Sequence, residues 1–404
     1  MNRNHRQSRA PLIAVCVLLV IAVVILCALL LSRCSRDDAP GGAEASGDAP
    51  ASAAPTVYEP EAADVGGVTD LTFAKFVDNA VRLEWTAPAE AERVVVLRRE
   101  SAGSTWEQLA AVDAADGAYV DTYPSSEPQQ YLYRVDVVSD AGDLLARGSA
   151  IPASNISVCI DPGHYRNYSP LSTDNVYGYE EGTVMLQLGL ELRRVLHDSY
   201  GIDAVMTRET DSITLGGYTD SELDNHHLTL RGEYAAGQDL FISLHSNANL
   251  DNANGYPTLN QPIGINKTLV FVNRVALADD VYMAMANAIG RQVTAVNAEA
   301  GLTTSGKRFT EGERDSLITW SDPFNDALDT PGTVCYRDGE NHDDYYGVLR
   351  GAAKADVPGF IVEHGFHTVA EVRRAAMEGD LVTRWAQADA AGIAEGFGFV
   401  VPKT

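Results

Sequence analysis

At 404 residues the chain has room for two or three domains, and its apolar (45%) and charged (21%) fractions are those of a folded globular protein. A formal net charge of −26 excludes the basic footprint that a nucleic-acid partner needs and argues against adsorption onto anionic lipid headgroups. Five cysteines are few, and Cys16, Cys27 and Cys34 lie in or beside one apolar run; Cys159 sits in an apolar strand and reads as a buried thiol, with a Cys159–Cys335 disulfide left open.

Residues 1–11 are a basic N-terminus holding Arg3, Arg6 and Arg9, and residues 12–31, Leu12 to Leu31, are twenty apolar residues without a charge. As a helix this run is about 30 Å long, enough to cross a bilayer core. Arg33 and Arg36 follow it, then Asp37 and Asp38. The slight basic excess before the run orients residues 1–11 to the cytoplasm, so the expectation is a single-pass cell-membrane protein with its remainder outside. A cleaved signal peptide is the alternative, but the run is long for that role and no small-residue cleavage site follows it directly. Lipid attachment is disfavoured because Leu26 precedes Cys27 and Arg33 precedes Cys34. Residues 1–36 carry five arginines and no acid, which leaves the remainder at −31, a charge that favours solubility. Residues 32–68 read as a disordered linker, rich in Ala, Gly, Ser, Pro and acids, with an r.m.s. span of roughly 30 Å.

Residues 69–153 carry a strand pattern. Val81, Leu83 and Trp85 alternate, Val94 to Leu97 form a short apolar run, and Tyr131, Tyr133, Val135 and Val137 alternate again. Turn clusters at Asp78-Asn79, Asp116-Gly117 and Pro124-Ser125-Ser126 separate the runs, which suggests an all-β sandwich. An early Trp85 and a late "YLYRVDVVSDAG" resemble a fibronectin type III domain. The aromatics are expected in its core, and a spacer or adaptor role is the default.

From residue 154 strands and helices alternate. Strands are expected at Ile156–Ile160, Ala204–Met206, Leu240–Leu244, Thr268–Val272 and Gly359–Val362. A helix starts near Glu181, where Met185, Leu188, Leu192 and Val195 recur at helical steps, and ends at Gly201. A second helix spans Ala278 to Val296, and Thr368 with Glu371 makes a capping box for the last helices. This alternation predicts an α/β domain with a mostly parallel sheet flanked by helices, whose ligands gather at the C-terminal strand edges.

Three polar residues follow three of those strands: His164 in "IDPGH", His245 at the end of "DLFISLH" and Glu363 at the end of "GFIVE". Glu181 opens the first helix. Two imidazoles and a carboxylate suit a catalytic zinc, which keeps a fourth position for water and lowers its pKa. A further carboxylate must then move the water proton to the leaving group, and Glu363 is the spare acid. Each residue also has a bland reading. His164 could be a loop histidine, Glu181 a helix-dipole partner, His245 a satisfied core histidine and Glu363 an ordinary strand-end acid. No local His-Glu-x-x-His motif is present.

The segments "VCIDPGH", "YEEGTVMLQLGLELRRVL", "VMTRETD", "LTLRGEYAAGQDLFISLHSNAN" and "VPGFIVEHGFHT" occur in this order. Together they resemble the zinc-dependent N-acetylmuramoyl-L-alanine amidases, the amidase-3 class of cell-wall hydrolases. The resemblance makes residues 154–404 the catalytic domain, with peptidoglycan as its substrate and Zn2+ as its cofactor. It implies that His164, Glu181 and His245 bind the metal and that Glu363 is catalytic. Glu181 is preferred over Glu180 because "EGTVML" keeps the family's spacing to the helix apolar residues. It implies hydrolysis of the bond between the lactyl group of N-acetylmuramic acid and L-alanine; the alternatives are an inactive wall-binding adaptor and a zinc peptidase acting on the stem peptide. The sequence departs from the family in "YRNYSP" after the first histidine and in the long polar stretch 303–345, a structureless insertion expected to be a substrate-contacting or occluding flap. His364 and His367 are expected to be scaffold.

Overall fold

A computed structural model of the chain describes residues 66–166, 178–248, 266–302, 332–339, 343–367 and 369–401. The expected membrane run 12–31, the linker as far as residue 65, the segment "YRNYSP" beyond Arg166, and residues 303–331 and 340–342 of the polar stretch lie outside them. No helix among the described residues is long and apolar enough to cross a membrane.

The β-rich part contains β1 (Thr69–Val77), β2 (Ala80–Thr86), β3 (Arg93–Glu100), β4 (Glu107–Asp113), β5 (Ala118–Thr122), β6 (Gln130–Val138), β7 (Leu144–Ala146) and β8 (Ile151–Ser154). Strands β1-β2-β5 form one antiparallel sheet, and β4-β3-β6-β7, with β8 on β6, form the other. The alternating residues of β2 meet those of β6 in one core, where Val81, Leu83 and Trp85 pack with Val94, Val96, Tyr133, Val135 and Val137. β3 is apolar on both faces because Val95 and Leu97 pack separately with Val138 and Trp106. The expected aromatics are therefore core.

The α/β part follows after two residues. It comprises β9 (Ser157–Pro162), α1 (Glu181–Val195), β10 (Asp203–Met206), the hairpin β11 (Thr214–Leu215) and β12 (Tyr218–Thr219), then α2 (Asp220–His226), α3 (Thr229–Glu233) and β13 (Leu240–Asn247). β14 (Leu269–Val272), α4 (Arg274–Leu277), α5 (Asp280–Glu299), β15 (Thr333–Tyr336), α6 (Gly347–Lys354), β16 (Gly359–Phe366), α7 (Ala370–Glu378) and α8 (Leu381–Phe397) complete it. The sheet order is β10-β9-β13-β16-β14-β15. Every pairing is parallel except β14 with β16, so the sheet is mixed. Hydrophobic pattern reports burial and says nothing of strand direction, so the reversal at β14 left no trace in it.

Both sheet faces are covered, which explains the continuous apolar runs. Val158, Ile160, Leu240, Ile242 and Leu244 face α1, α5 and α8, while Cys159 and Phe241 face α6 on the other side. Cys159 and Cys335 are free and buried in that second cluster.

Several expectations need correction. β13 and β16 run past Leu244 and Val362, so His245 and Glu363 lie within strands, not at their ends. The helix expected at about Ala278–Val296 is the single helix α5, shifted to Asp280–Glu299, with Asp279 capping it by accepting from Val281 N at 2.8 Å; the short α4 precedes the expected span. The polar stretch contains β15, a short edge strand. α7 begins at Ala370 with Val369 at its cap position, and Thr368 lies outside the described residues. The end at Gly201 holds: α1 closes through a π turn (Leu196–Tyr200), Gly201 takes φ 64°, and a Cβ there would collide with the Ala153 backbone.

The sandwich is docked directly on the α/β part. Lys75 Nζ donates to both oxygens of Asp239 (2.9 and 3.1 Å), and Asp239 Oδ2 also accepts from Ser157 N (2.7 Å). Phe73 stacks on His197 at 4.7 Å, and Asn155 Nδ2 donates to Asp78 O at 2.9 Å. Asp239→Ala strands a mostly buried ammonium and a strand N–H, so it should cost about 1–3 kcal/mol, read as a lower urea midpoint.

Candidate metal centre

The three parallel strands β9, β13 and β16 bring the predicted residues to one edge of the sheet. His164 lies just past β9 with φ 57°, a left-handed conformation uncommon for a residue with a Cβ. Hydrogen bonds hold it there: Arg231 Nη1 donates to His164 O (3.2 Å), Arg208 Nη2 to Gly163 O (3.1 Å), and Gly163 N to Leu244 O (2.9 Å). Position 163 has to be glycine, since a Cβ would stand 2.6 Å from His245 Cε1. The Asp-Pro-Gly-His turn is thus a strained loop pressed against the second imidazole, the kind of feature that marks functional sites.

Glu181 opens α1 and is 5% exposed. Its Oε1 accepts from Ser246 N (3.0 Å) and lies 3.2 Å from His245 Nδ1 and 3.7 Å from His164 Nε2. One ligand atom from each of His164, Glu181 and His245 lies within 4.8 Å of the others, a group that could hold a metal ion. Both imidazoles keep partial exposure, 20% and 16% of the side chain, so the cluster opens to solvent. Glu180 points elsewhere, accepting from Thr183 Oγ1 at 2.9 Å. Geometry thus separates the two neighbouring glutamates as the family spacing did.

Glu363 sits beside this cluster, its Cα paired with His245 across β13 and β16. Its Oε2 is buried and has no hydrogen-bond partner among the described residues. Burial pushes the Glu363 carboxyl up to about 7, with His245 opposing and the Glu181 charge adding to the rise. Burial also works against ionised Glu181, but His164 and His245 outweigh it and bring that carboxyl down to about 2. Burial depresses His164; His245 is raised because its contacts with Glu181 overcome burial.

Behind the cluster is a polar network to which sequence reasoning gave no role. His164 Nδ1 lies 3.2 Å from Asp224 Oδ2, and His245 Nε2 lies 3.0 Å from Ser243 Oγ, which donates to Asp161 Oδ2 at 2.7 Å. Arg231 joins the two acids, donating to Asp161 (2.9 Å) and Asp224 (2.8 Å). Arg208 ties the Asp-Pro-Gly-His turn to α1 through the carbonyls of Pro162, Gly163 and Gly182. The signal available was Asp161 and Ser243, polar residues inside otherwise apolar strand runs, since buried polar groups need partners.

His364 and His367 stand outside the cluster, as expected. His364 is fully buried and bonds Asp389 (2.8 Å) and the His245 carbonyl (3.0 Å). His367 stacks on Tyr179 at 5.1 Å and bonds Ser246.

A profile of the N-acetylmuramoyl-L-alanine amidases matches residues 158–395, more than half of the chain. The chain belongs to this amidase family. As a member of it, the protein is an enzyme of the N-acetylmuramoyl-L-alanine amidase class, whose substrate is peptidoglycan. No curated protein matches the chain. Among solved structures, the amidase catalytic domain CwlV from Bacillus (Paenibacillus) polymyxa is 20% identical, covering 59% of this chain and 97% of that one with a TM-score of 0.37. The apo amidase Ami1 from Mycobacterium abscessus is 19% identical over 60% of this chain and 98% of its own, with a TM-score of 0.37. A fibronectin type III domain of human collagen XX is 19% identical over 24% of this chain and 99% of its own, with a TM-score of 0.21. The profile match carries the family assignment.

The raised Glu363 carboxyl has a consequence for the metal-free amidase. The folded state holds this proton more tightly than the unfolded one, so its contribution to stability is complete below about 4.5 and is lost as pH rises through about 7. Glu363→Gln cannot ionise. In chelator it should therefore melt above the wild type at pH 8, with the gap closing at pH 5. An equal gap at both pH values would show that Glu363 keeps an ordinary carboxylate pKa.

Proposed function

We propose that this amidase is zinc-dependent and hydrolyses the amide between the lactyl group of N-acetylmuramic acid and L-alanine in peptidoglycan, outside the cell. The observation that carries this reading is the convergence of His164, Glu181 and His245 beside Glu363, whose Oε2 meets no partner among the described residues. Ligand atoms around a tetrahedral zinc stand roughly 3.3–3.5 Å apart. The separations of Glu181 Oε1 from His245 Nδ1 (3.2 Å) and from His164 Nε2 (3.7 Å) bracket that spacing, so the residues present fit the ion.

When bound, zinc supplies Lewis acidity, lowering the pKa of a water towards neutrality and polarising the amide carbonyl. The chain's own residues do the rest. His164, Glu181 and His245 hold the ion, with Glu181 ionised across the working pH range. Glu363, as the carboxylate, accepts the water proton and passes it to the leaving nitrogen, a task suited to an acid poised near neutral pH. The parallel pairing of His245 with Glu363 sets the distance between metal and base.

Residues 12–31 serve as a membrane anchor and residues 32–68 as its tether, a reading supported by the uncharged apolar run and the linker composition. Residues 69–153 act as a fibronectin type III-like spacer, a reading supported by the two antiparallel sheets and their shared core.

Purified peptidoglycan digested by the enzyme should release intact stem peptides and leave glycan chains uncut, read by mass spectrometry. Shortened stem peptides would mean a peptidase, and no products an adaptor. Glu363→Ala should lose at least about 100-fold in turnover with zinc still bound, the scale of general-base catalysis. His164→Ala and His245→Ala should lose the metal itself. Activity that survives complete chelation would refute zinc dependence.

A further inference from the structure

We propose that the buried Asp161–Arg231–Asp224 cluster fixes the tautomer of both imidazoles, so that His164 offers Nε2 and His245 offers Nδ1 to the metal. The inference rests on the metal-centre reading above and assigns Asp161, Asp224, Arg231 and Ser243 as positioning residues.

The argument is a count of protons. Asp161 is fully buried, and its Oδ1 accepts from Thr207 Oγ1 (2.6 Å) and Arg231 Nε (2.9 Å). Beside that guanidinium the carboxyl stays ionised: burial works to raise it, and Arg231 with the Thr207 and Ser243 hydroxyls outweighs burial. An ionised carboxylate only accepts, so the single proton of Ser243 Oγ points at Asp161 Oδ2, 2.7 Å away. Ser243 can then only accept from His245 Nε2 at 3.0 Å. Nε2 therefore carries a proton, and Nδ1 is left facing Glu181.

The same count holds for His164. Asp224 Oδ1 accepts from Arg231 Nη1 (2.8 Å), and Oδ2 lies 3.2 Å from His164 Nδ1. Nδ1 donates to that oxygen, which leaves Nε2 as the ligand atom. Arg231 couples the two arms. It is 1% exposed, and it also donates to Pro162 O (2.7 Å) and His164 O (3.2 Å), so it cannot turn to release either acid. Metal-bound histidines commonly donate their other N–H to such a partner, which orients the ring and raises its basicity. Here one buried guanidinium serves both ligands.

Asp224→Asn is the discriminating variant because it keeps the side-chain shape. Arg231 requires an oxygen at the Oδ1 position, so the amide turns its NH2 group to His164 Nδ1. That contact forces the proton onto Nε2 and closes the ligand position, as a wrong tautomer does in an Asp→Asn triad. In the full-length protein, zinc affinity measured by chelator competition should fall about 10–100-fold for Asp224→Asn and for Ser243→Ala. Ser243→Thr, which keeps the hydroxyl, should restore most of it. Ring 15N shifts of the metal-free protein at pH 8.5 give a readout independent of zinc: His164 should be the Nδ1–H form in the wild type and the Nε2–H form in Asp224→Asn. Melting curves of the metal-free variants establish that each is folded. Wild-type zinc affinity in both Asp224→Asn and Ser243→Ala, or a His164 tautomer unchanged by Asp224→Asn, overturns the proposal. A wild-type protein that binds no zinc while His164 still switches tautomer sinks the metal-centre reading and leaves the tautomer assignment standing.

Discussion

The buried ion pair between Arg231 and Asp161 is the contact on which the site depends. Arg231 comes from α3 and Asp161 from β9, and the pair is almost wholly out of solvent. Such pairs contribute little net stability, because removing two charges from water costs about what their attraction returns. What this one contributes is geometry. The guanidinium reaches the carbonyls of Pro162 and His164 and the carboxylate of Asp224, so the turn bearing His164 has few ways to relax. Its left-handed backbone at His164 persists because these contacts over-determine it.

Around that frame, two glutamates of the same intrinsic acidity acquire opposite character. Glu181 lies between two imidazoles and accepts a backbone N–H at Ser246, so its charged form is favoured despite burial. Glu363 is buried, with an oxygen that meets no donor among the described residues and Glu181 as a neighbouring charge, so its neutral form is favoured. Under the proposed function, this separation suits one carboxylate to hold the metal and the other to move the proton. The division follows from which strand or helix each residue leaves.

The sandwich has a different relation to the α/β part from the one its composition suggested. A spacer can be a loose bead, yet β8 and β9 are separated by two residues and belong to different sheets. Asp239 receives both Lys75 from β1 and the Ser157 N–H at the start of β9. The sandwich and the catalytic sheet therefore share a polar contact at the strand that leads into the His164 turn.

Local pattern was enough to read the α/β alternation, the two-sheet core around Trp85, the opening of α1 at Glu181 and the Gly201 terminus, because each depends on residues near in sequence. The ordered motifs were enough to separate Glu181 from Glu180. Strand direction at β14, the extension of β13 and β16 past the chemistry and the short edge strand β15 were not legible, since each is stabilised by pairing between distant segments. The roles of Asp161, Ser243, Asp224 and Arg231 belong to the tertiary structure for the same reason. A serine in an apolar strand announces that it needs a partner, but only the folded sheet supplies one, through hydrogen bonds across 82 residues to Asp161 and a further 70 from Asp161 to Arg231.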